Sequence, residues 1–181
     1  PLLSEKITLI SSALSESIPE TLYEAEIKDS YLCIFAEEEK QASKFLNSVH
    51  YASDSHVCIT RASSLEEIAP AVIECVETFG GIDTLIFSSW QKAGSELFLD
   101  ISFDDFAFYT GLINKFHLLC KCALPYMLGR DGAAIIVPVE ENPPQNVARA
   151  AYRGAITAMA QAMSDEFEPL GIKIKICKFS L

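Results

Sequence analysis

Glycine is scarce in this sequence, since the chain has eight glycines in 181 residues and the first of them is Gly80. A glycine-rich turn that brings bare main chain against a phosphate group is therefore excluded from the first half of the chain. Basic residues are also few. Lys and Arg number 14 against 25 Asp and Glu, so the formal net charge is −11. This acidic surface disfavours binding to nucleic acid and to anionic membranes.

Long apolar runs and metal-ligand spacings are missing as well. The longest apolar stretch, residues 133–139, is much shorter than the roughly 20 residues of a membrane-spanning helix. The start of the chain has no secretory-signal pattern. The six cysteines form no CxxC motif, and the three histidines share no zinc-ligand spacing with them. We therefore expect a cytoplasmic protein with reduced core thiols and no metal site.

The sequence does contain a regular alternation of short β-rich runs and longer helical runs. The run Tyr31–Phe35 is apolar on both faces, which is typical of a parallel sheet covered on both sides. The alternation predicts a single α/β domain over residues 1–181, with a doubly wound parallel sheet of order 3-2-1-4-5-6 between two helical layers. Strands are predicted at 7–10, 31–35, 56–60, 83–88, 133–137 and 172–176, and helices at 15–28, 37–48, 63–79, 103–127 and 147–167.

Several segments of the second half carry scaffold motifs of a known family. These are Phe79-Gly-Gly-Ile-Asp-Thr-Leu-Ile86, the run 118–127, Gly132-Ala-Ala-Ile-Ile136 and the run 165–174. On these segments the chain resembles the short-chain dehydrogenase/reductase family from about residue 79 to residue 177. The resemblance implies a Rossmann-like fold on an oxidoreductase scaffold. The C-terminal substrate lobe of the family is not expected in this chain.

The resemblance also implies a place for a nicotinamide dinucleotide, whose pyrophosphate the family holds in a glycine-rich turn after the first strand. The matching positions here include Ser11, Ser12, Glu16 and Ile18. Their side chains block close approach of the main chain, and the carboxylate of Glu16 repels phosphate. We therefore expect no bound cofactor.

The residues that the family uses for proton transfer are replaced as well. The family has a tyrosine with a lysine four residues later, a serine after the fifth strand and an asparagine in the fourth helix. Counting along the resembled motifs places Arg149, Arg153, Glu140 and Leu112 at these positions. The joint loss of cofactor loop and proton donor predicts a chain without catalytic activity of its own.

The two long helices at 103–127 and 147–167 keep apolar residues on more than one side, which indicates burial on more than one side. In the family, the equivalent helices pair with a second subunit. The first function hypothesis is thus a catalytically silent subunit that pairs with itself or with an active dehydrogenase subunit, possible partners including hydroxyacyl-CoA enzymes. The predicted interface residues are Phe108, Leu112, Phe116, Ala151, Ala155, Ala158 and Ala162.

Two alternatives remain open at this point. One is a small-molecule binding or sensor module whose altered cleft contains Ser88, Ser89, Trp90 and Arg153, with Trp90 either stacking on a ligand or filling the cleft. The other is an enzyme similar to halohydrin dehalogenases, which use no nucleotide. In that case Arg149 and Arg153, one helical turn apart, would hold an anion.

Overall fold

The computed structural model of the chain describes residues 6–12, 27–48, 54–88, 97–141 and 146–179. Within these ranges the strands are β1 (Ile7–Ile10), β2 (Tyr31–Ala36), β3 (Asp54–Ile59), β4 (Thr84–Ile86), β5 (Ala134–Glu140) and β6 (Lys173–Phe179). The helices are α1 (Glu39–Ser48), α2 (Leu65–Phe79), α3 (Phe103–Met127) and α4 (Val147–Phe167). None of the described helices combines the length and apolar character needed to cross a bilayer.

The strands form one parallel sheet in the order β3-β2-β1-β4-β5-β6. This confirms the predicted α/β fold class and its strand order. The chain leaves β1 toward one edge through β2 and β3, then returns to β4 and continues toward the other edge. The order therefore reverses between β1 and β4, and doubly wound folds bind ligands beyond the carboxyl ends of the strands at such a point.

Alternate residues of the strands face two separate cores. Leu85, Ile135 and Val137 belong to a core covered by α2, α3 and α4, whereas Ile86 and Ile136 face the core that contains Phe45 of α1. Strands buried on both faces need apolar residues at successive positions. The continuous apolar runs noted in the sequence therefore reflect the two helical layers.

Local hydrogen bonds and a glycine define the ends of the helices. The Ser102 hydroxyl accepts a hydrogen bond from the Asp105 N–H at the start of α3, and the Asn146 side chain accepts one from the Arg149 N–H at the start of α4. Gly80 adopts φ +90° directly after α2, a backbone conformation that glycine adopts without strain. The bounds predicted for α3 and α4 are confirmed.

The strands differ from prediction mainly in length. β5 continues to Glu140 rather than stopping at 137, because it pairs with β6 along its whole length and Glu140 lies opposite Phe179. β4 is shorter than predicted and covers only 84–86. Most of the helix predicted at 15–28 lies outside the described residues. Its end, from Ile27 to Ser30, forms a turn closed by a hydrogen bond from the Ser30 N–H to the Ile27 carbonyl.

An arginine–carboxylate pair holds the amino end of the sheet together. The Arg130 guanidinium contacts both carboxylate oxygens of Asp83 at 2.5 and 3.1 Å, which raises the pKa of Arg130. Asp83 also accepts a hydrogen bond from the Ile7 N–H at 2.8 Å. Gly81 leaves room for this pair, because a Cβ there would push the Arg130 guanidinium away from its present position. The pair therefore links β1, the start of β4 and the turn before β5.

Candidate functional site

The carboxyl ends of β1 and β4 are joined by a serine side chain. The Ser11 hydroxyl donates to the carbonyl of Ser88 at 2.9 Å, and the Ser11 N–H donates to the carbonyl of Ile86 at 3.0 Å. Ser11 and Ser88 are both buried, and Ser12 is half-buried. The predicted loop residues Glu16 and Ile18, and the predicted cleft residues Ser89 and Trp90, lie outside the described part of the chain.

A second feature of this edge is a nearly buried ion pair between β5 and α4. Glu140 ends the strand, and Arg149 lies in the first turn of the helix that follows. The Arg149 Nη2 is 2.6 Å from the Glu140 Oε2, and the two side chains are only 12% and 14% exposed. Charges attract more strongly where water is excluded, so this contact holds the end of β5 against the start of α4.

Arg153 is placed differently from Arg149 although it lies one helical turn away. Its Nη2 donates to the carbonyl of Glu141 at 3.4 Å, and the side chain lines an open groove between α4 and β6 of about 880 Å³. The described lining of this groove is Val139, Ala150, Arg153, Gly154, Thr157, Ala158, Gln161, Ile176 and Lys178. Arg153 thus lies beside β6, two strands from β4 and Ser88, rather than in the cleft expected to contain both.

The two arginines do not form the anion clamp that the dehalogenase-like alternative requires. Arg149 is engaged by the carboxylate of Glu140, whereas Arg153 contacts a main-chain carbonyl in the groove. An incoming anion would have to displace Glu140 from a nearly buried contact, at the cost of leaving that carboxylate without its cation.

The predicted interface residues divide into exposed and buried ones. Ala151, Ala158, Ala162 and Phe108 are exposed, and Leu112 and Ala155 are half-buried. The prediction of Phe116 as an interface residue was wrong. Its side chain is fully buried, with its ring centroid 4.9 Å from that of Phe87 at the end of β4. It belongs to the side of α3 that covers the sheet, so it offers no surface to a second subunit.

A stripe of large apolar side chains on α4 covers the sheet. Tyr152, Ile156, Met159, Met163 and Phe167 all pack in or against the core shared with α2 and α3. The Tyr152 ring also lies 6.0 Å from the Tyr109 ring of α3, between centroids, which joins the two helices. We call Ala151, Ala155, Ala158 and Ala162 the alanine stripe. Of these, Ala151, Ala158 and Ala162 are exposed, so this side of α4 does not cover the sheet.

An exposed apolar surface before and within the first turns of α3 was not predicted. We call this set the α3 apolar patch, and its residues are Leu97, Phe98, Leu99, Phe103 and Phe106. Phe103 is 95% exposed and Leu99 is 92% exposed. Phe103 and Phe106 are spaced i, i+3 and so lie on one side of the helix. That spacing was the available sequence signal, and the charges of the neighbouring Asp104 and Asp105 obscured it.

Comparison with known proteins identifies similar folds among solved structures, but no family model and no curated relative. Among solved structures, a short-chain dehydrogenase/reductase (glucose/ribitol dehydrogenase) from Brucella melitensis is 21% identical, with a TM-score of 0.74 over 96% of this chain and 75% of its own. NAD⁺-bound xylitol dehydrogenase is 21% identical, with a TM-score of 0.78 over 94% of this chain and 68% of its own. The chain has the fold of the short-chain dehydrogenases/reductases.

A further structure of this fold is 3-ketoacyl-(acyl-carrier-protein) reductase from Brucella melitensis in complex with NADH. It is 14% identical, with a TM-score of 0.79 over 94% of this chain and 74% of its own. Both Ser11 and the Glu140–Arg149 pair lie at the carboxyl edge of the sheet, where open α/β folds of this kind bind ligands.

Proposed function

We propose that this chain is a catalytically silent subunit of the short-chain dehydrogenase/reductase type. It pairs through α3 and α4 with a second copy of itself or with an active dehydrogenase subunit, a hydroxyacyl-CoA enzyme being one such partner. The observation that carries the proposal is the nearly buried Glu140–Arg149 ion pair. It occupies the positions where the resembled family has its serine and its proton-donating tyrosine.

An ion pair cannot replace a serine and a tyrosine in proton transfer. A guanidinium keeps its protons in proteins, and a carboxylate held in an ion pair offers only acceptor oxygens. General acid catalysis needs a group whose proton can leave near the working pH. The Arg149 Nη2 lies 2.6 Å from the Glu140 Oε2, so each charge is balanced by the other.

The residues at the β1–β4 switch point do not fit a dinucleotide either. The buried Ser11 side chain is bonded to the Ser88 carbonyl, where the family's turn would present bare main chain to pyrophosphate. No glycine precedes Gly80 that would relieve this. No step through a nicotinamide is therefore assigned to this chain.

The exposed sides of α3 and α4 support pairing. Large apolar side chains such as Phe103 and Phe106 gain free energy when a partner removes them from water, at about 25 cal/mol per Å². The exposed alanines of α4 have short side chains, which let another helix approach closely. The α3 apolar patch and the alanine stripe thus each offer surface that a second subunit would cover.

Catalytic silence is tested by titrating the purified protein with NAD⁺, NADH, NADP⁺ and NADPH in a calorimeter. We expect no binding heat up to millimolar nucleotide, and no hydride transfer with hydroxyacyl-CoA or alcohol substrates. Micromolar binding of any of the four nucleotides would overturn this part of the proposal.

Pairing is tested by sedimentation velocity at micromolar concentration. We expect the wild-type chain to form at least a dimer, and the double variant Ala151→Glu with Ala162→Glu to weaken association about tenfold or more, because like charges would face each other. Ile73→Glu is the matched control, since Ile73 is an exposed apolar residue of α2 outside the proposed interface. A folded monomer that forms no complex with a co-expressed short-chain dehydrogenase contradicts the proposal.

The groove between α4 and β6 favours a second candidate, a binding module for a small anion-bearing ligand. Arg153 and Lys178 give it two cationic side chains above the apolar Val139 and Ile176. A ligand from an anionic metabolite panel should raise the melting temperature of the wild type but not of Arg153→Gln. Lys173→Gln, an exposed lysine of β6 outside the described lining, is the control.

A further inference from the structure

Three side chains with different metal-binding atoms converge at the β3 edge of the sheet. His56 and Cys58 are two residues apart in β3 and so project from the same face of the strand. α2 packs on this face and brings Glu74 beside them, with the His56 Nε2 2.6 Å from the Glu74 Oε1. One donor atom from each of the three residues lies within 4.8 Å of the other two.

We propose that His56, Cys58 and Glu74 form a binding site for a divalent ion of the zinc class. Imidazole, thiolate and carboxylate are the three ligand types that Zn²⁺ takes in proteins. Zinc–ligand bonds of about 2.0–2.3 Å in a tetrahedron place donor atoms roughly 3.3–3.8 Å apart. The His56–Glu74 separation is 2.6 Å and no pair of donor atoms is more than 4.8 Å apart, so small side-chain adjustments bring the three groups to these distances.

The burial of the three residues suits this rearrangement. Cys58 is buried and held by the strand, so its sulfur forms a fixed base for the site. His56 and Glu74 have side chains that are 32% and 54% exposed, and they are free to adjust on the solvent side. An ion can enter from that side, and a water molecule completes the fourth position, as in zinc sites with three protein ligands.

A second thiol stands behind the proposed ligand. The Cys33 Sγ of β2 is 3.8 Å from the Cys58 Sγ, within hydrogen-bond distance for sulfur. When Cys58 is a thiolate bound to metal, the S–H of Cys33 can donate to it. Such outer hydrogen bonds orient ligands and tune affinity. Cys33 therefore acts as a positioning residue in the proposed site.

The consequence for the protein is a metal link between the edge strand and α2. In the described sheet β3 is an edge strand paired with β2, and α2 packs on the face of β3 that carries Cys58. A ligand that binds only the folded state raises stability in proportion to the logarithm of its concentration over Kd. Zn²⁺ should thus raise the melting temperature of the chain by several degrees.

The site cannot be recognised from sequence motifs, because its three ligands do not have the spacing of a known zinc motif. His56 and Cys58 share one strand face, whereas Glu74 comes from a helix 16 residues farther on. Only the packing of α2 on β3 brings them together, which is why the sequence predicted no metal site.

The test uses reduced, chelator-treated protein and Co²⁺ as a spectroscopic substitute for Zn²⁺. We expect one equivalent of Co²⁺ to produce the near-ultraviolet thiolate-to-cobalt band and the visible absorption of tetrahedral cobalt, and added Zn²⁺ to abolish both. Cys58→Ala should eliminate the thiolate band. Cys122→Ala should retain it, because that cysteine lies on α3 outside the cluster.

His56→Ala and Glu74→Ala should each weaken Co²⁺ binding about tenfold or more and remove the stabilisation by Zn²⁺. Both side chains are partly exposed, so these variants keep the test valid even if Cys58→Ala does not fold. Circular dichroism checks the fold of each variant. No thiolate band at millimolar Co²⁺, or an unchanged affinity in both His56→Ala and Glu74→Ala, would overturn the proposal.

Discussion

The sheet has an arginine–carboxylate pair at each end, and the two pairs differ in burial and in position. At the amino end Asp83 and Arg130 are 14% and 31% exposed, and Asp83 also accepts a hydrogen bond from the main chain of Ile7. At the carboxyl end Glu140 and Arg149 are 14% and 12% exposed. The first pair joins backbone segments and remains in contact with water. The second is desolvated on both partners, so its loss should be felt more strongly.

The two ends also differ in how far they follow the resembled family. The turn with Gly80, Gly81 and Asp83 at the amino end matches the family's run into the fourth strand. At the carboxyl end, the count along the sequence assigns Ser11, Glu140 and Arg149 to the positions of the family's glycine turn, serine and tyrosine. The amino end of such a sheet serves the fold, whereas the carboxyl end serves ligands. This difference favours the proposed subunit, in which the scaffold is kept and the catalytic chemistry is lost.

The largest loss of stability should come from removing one charge of the carboxyl-end pair. Arg149→Ala should lower the free energy of unfolding by about 3–5 kcal/mol, because Glu140 is left as a nearly buried charge without its cation. Urea denaturation at pH 7 measures this. The double variant Glu140→Gln with Arg149→Met should recover most of the loss. A cost below about 1 kcal/mol for Arg149→Ala would show that water reaches Glu140.

Removing the acid at the amino end should cost less. Asp83→Ala loses the contact with Arg130 and the hydrogen bond from the Ile7 N–H, for about 1–2 kcal/mol in the same urea experiment. Asp83→Asn keeps an acceptor for that N–H, so it should cost less than alanine. If Asp83→Ala proved more damaging than Arg149→Ala, the ranking of the two ends by burial would be wrong.

A smaller effect is expected at the start of α3. Ser102→Ala removes the oxygen that accepts from the Asp105 N–H, at a cost of about 1 kcal/mol. Ser64 precedes α2 in the equivalent position but makes no capping hydrogen bond, so Ser64→Ala should cost only a few tenths of a kcal/mol. Equal costs for the two variants would contradict the assigned geometry.

The smallest effect concerns Lys115 of α3, near the carboxyl edge. Its Nζ donates to the Arg61 carbonyl at 3.4 Å, and burial lowers the pKa of its ammonium group, while Glu37 and Glu67 partly oppose that shift. A lysine whose pKa is lower in the folded state destabilises the fold wherever the unfolded lysine is protonated. Lys115→Met should therefore raise the free energy of unfolding at pH 7 by up to about 1 kcal/mol.

The pH dependence of this gain checks its cause. The cost of the buried ammonium is complete below the folded-state pKa and vanishes above the unfolded-state pKa, which is about 10.4. The advantage of Lys115→Met over the wild type should consequently shrink as the pH rises toward that value. An advantage that stays constant up to pH 10 would indicate packing rather than charge as its source.

Local signals in the sequence predicted the long elements well. Ser102 and Asn146 precede α3 and α4 because their side chains accept from free N–H groups, and Gly80 ends α2 because it adopts positive φ readily. These are interactions between residues a few positions apart. Strand lengths were less predictable, since β5 extends to Glu140 only through its pairing with a strand more than 30 residues later.

The sequence predicted which residues lie at the candidate site, but it did not predict which of them contact each other. The sequence pointed to Glu140 and Arg149 as replaced catalytic residues, yet nothing in their spacing indicated that they bind each other. Phe116 was assigned to the wrong side of α3, because a helix with apolar residues on several sides does not reveal which side meets the sheet. The exposed Phe103 was missed because the charges of the neighbouring Asp104 and Asp105 obscured its spacing with Phe106. The His56–Cys58–Glu74 cluster was missed because only the packing of α2 on β3 brings its residues together.

The fold class, the strand order and the ends of the two long helices were predictable from the amino-acid sequence. Hydrophobic periodicity and capping act between residues that are close along the chain. The sequence also determined that no glycine turn could follow β1. The ion pair between Glu140 and Arg149, the hydrogen bond from Ser11 to Ser88 and the exposed side of α3 arise only when the elements pack together. Those contacts join residues on different elements, and burial, which sets the strength of a charge or a hydrogen bond, exists only once the elements are packed.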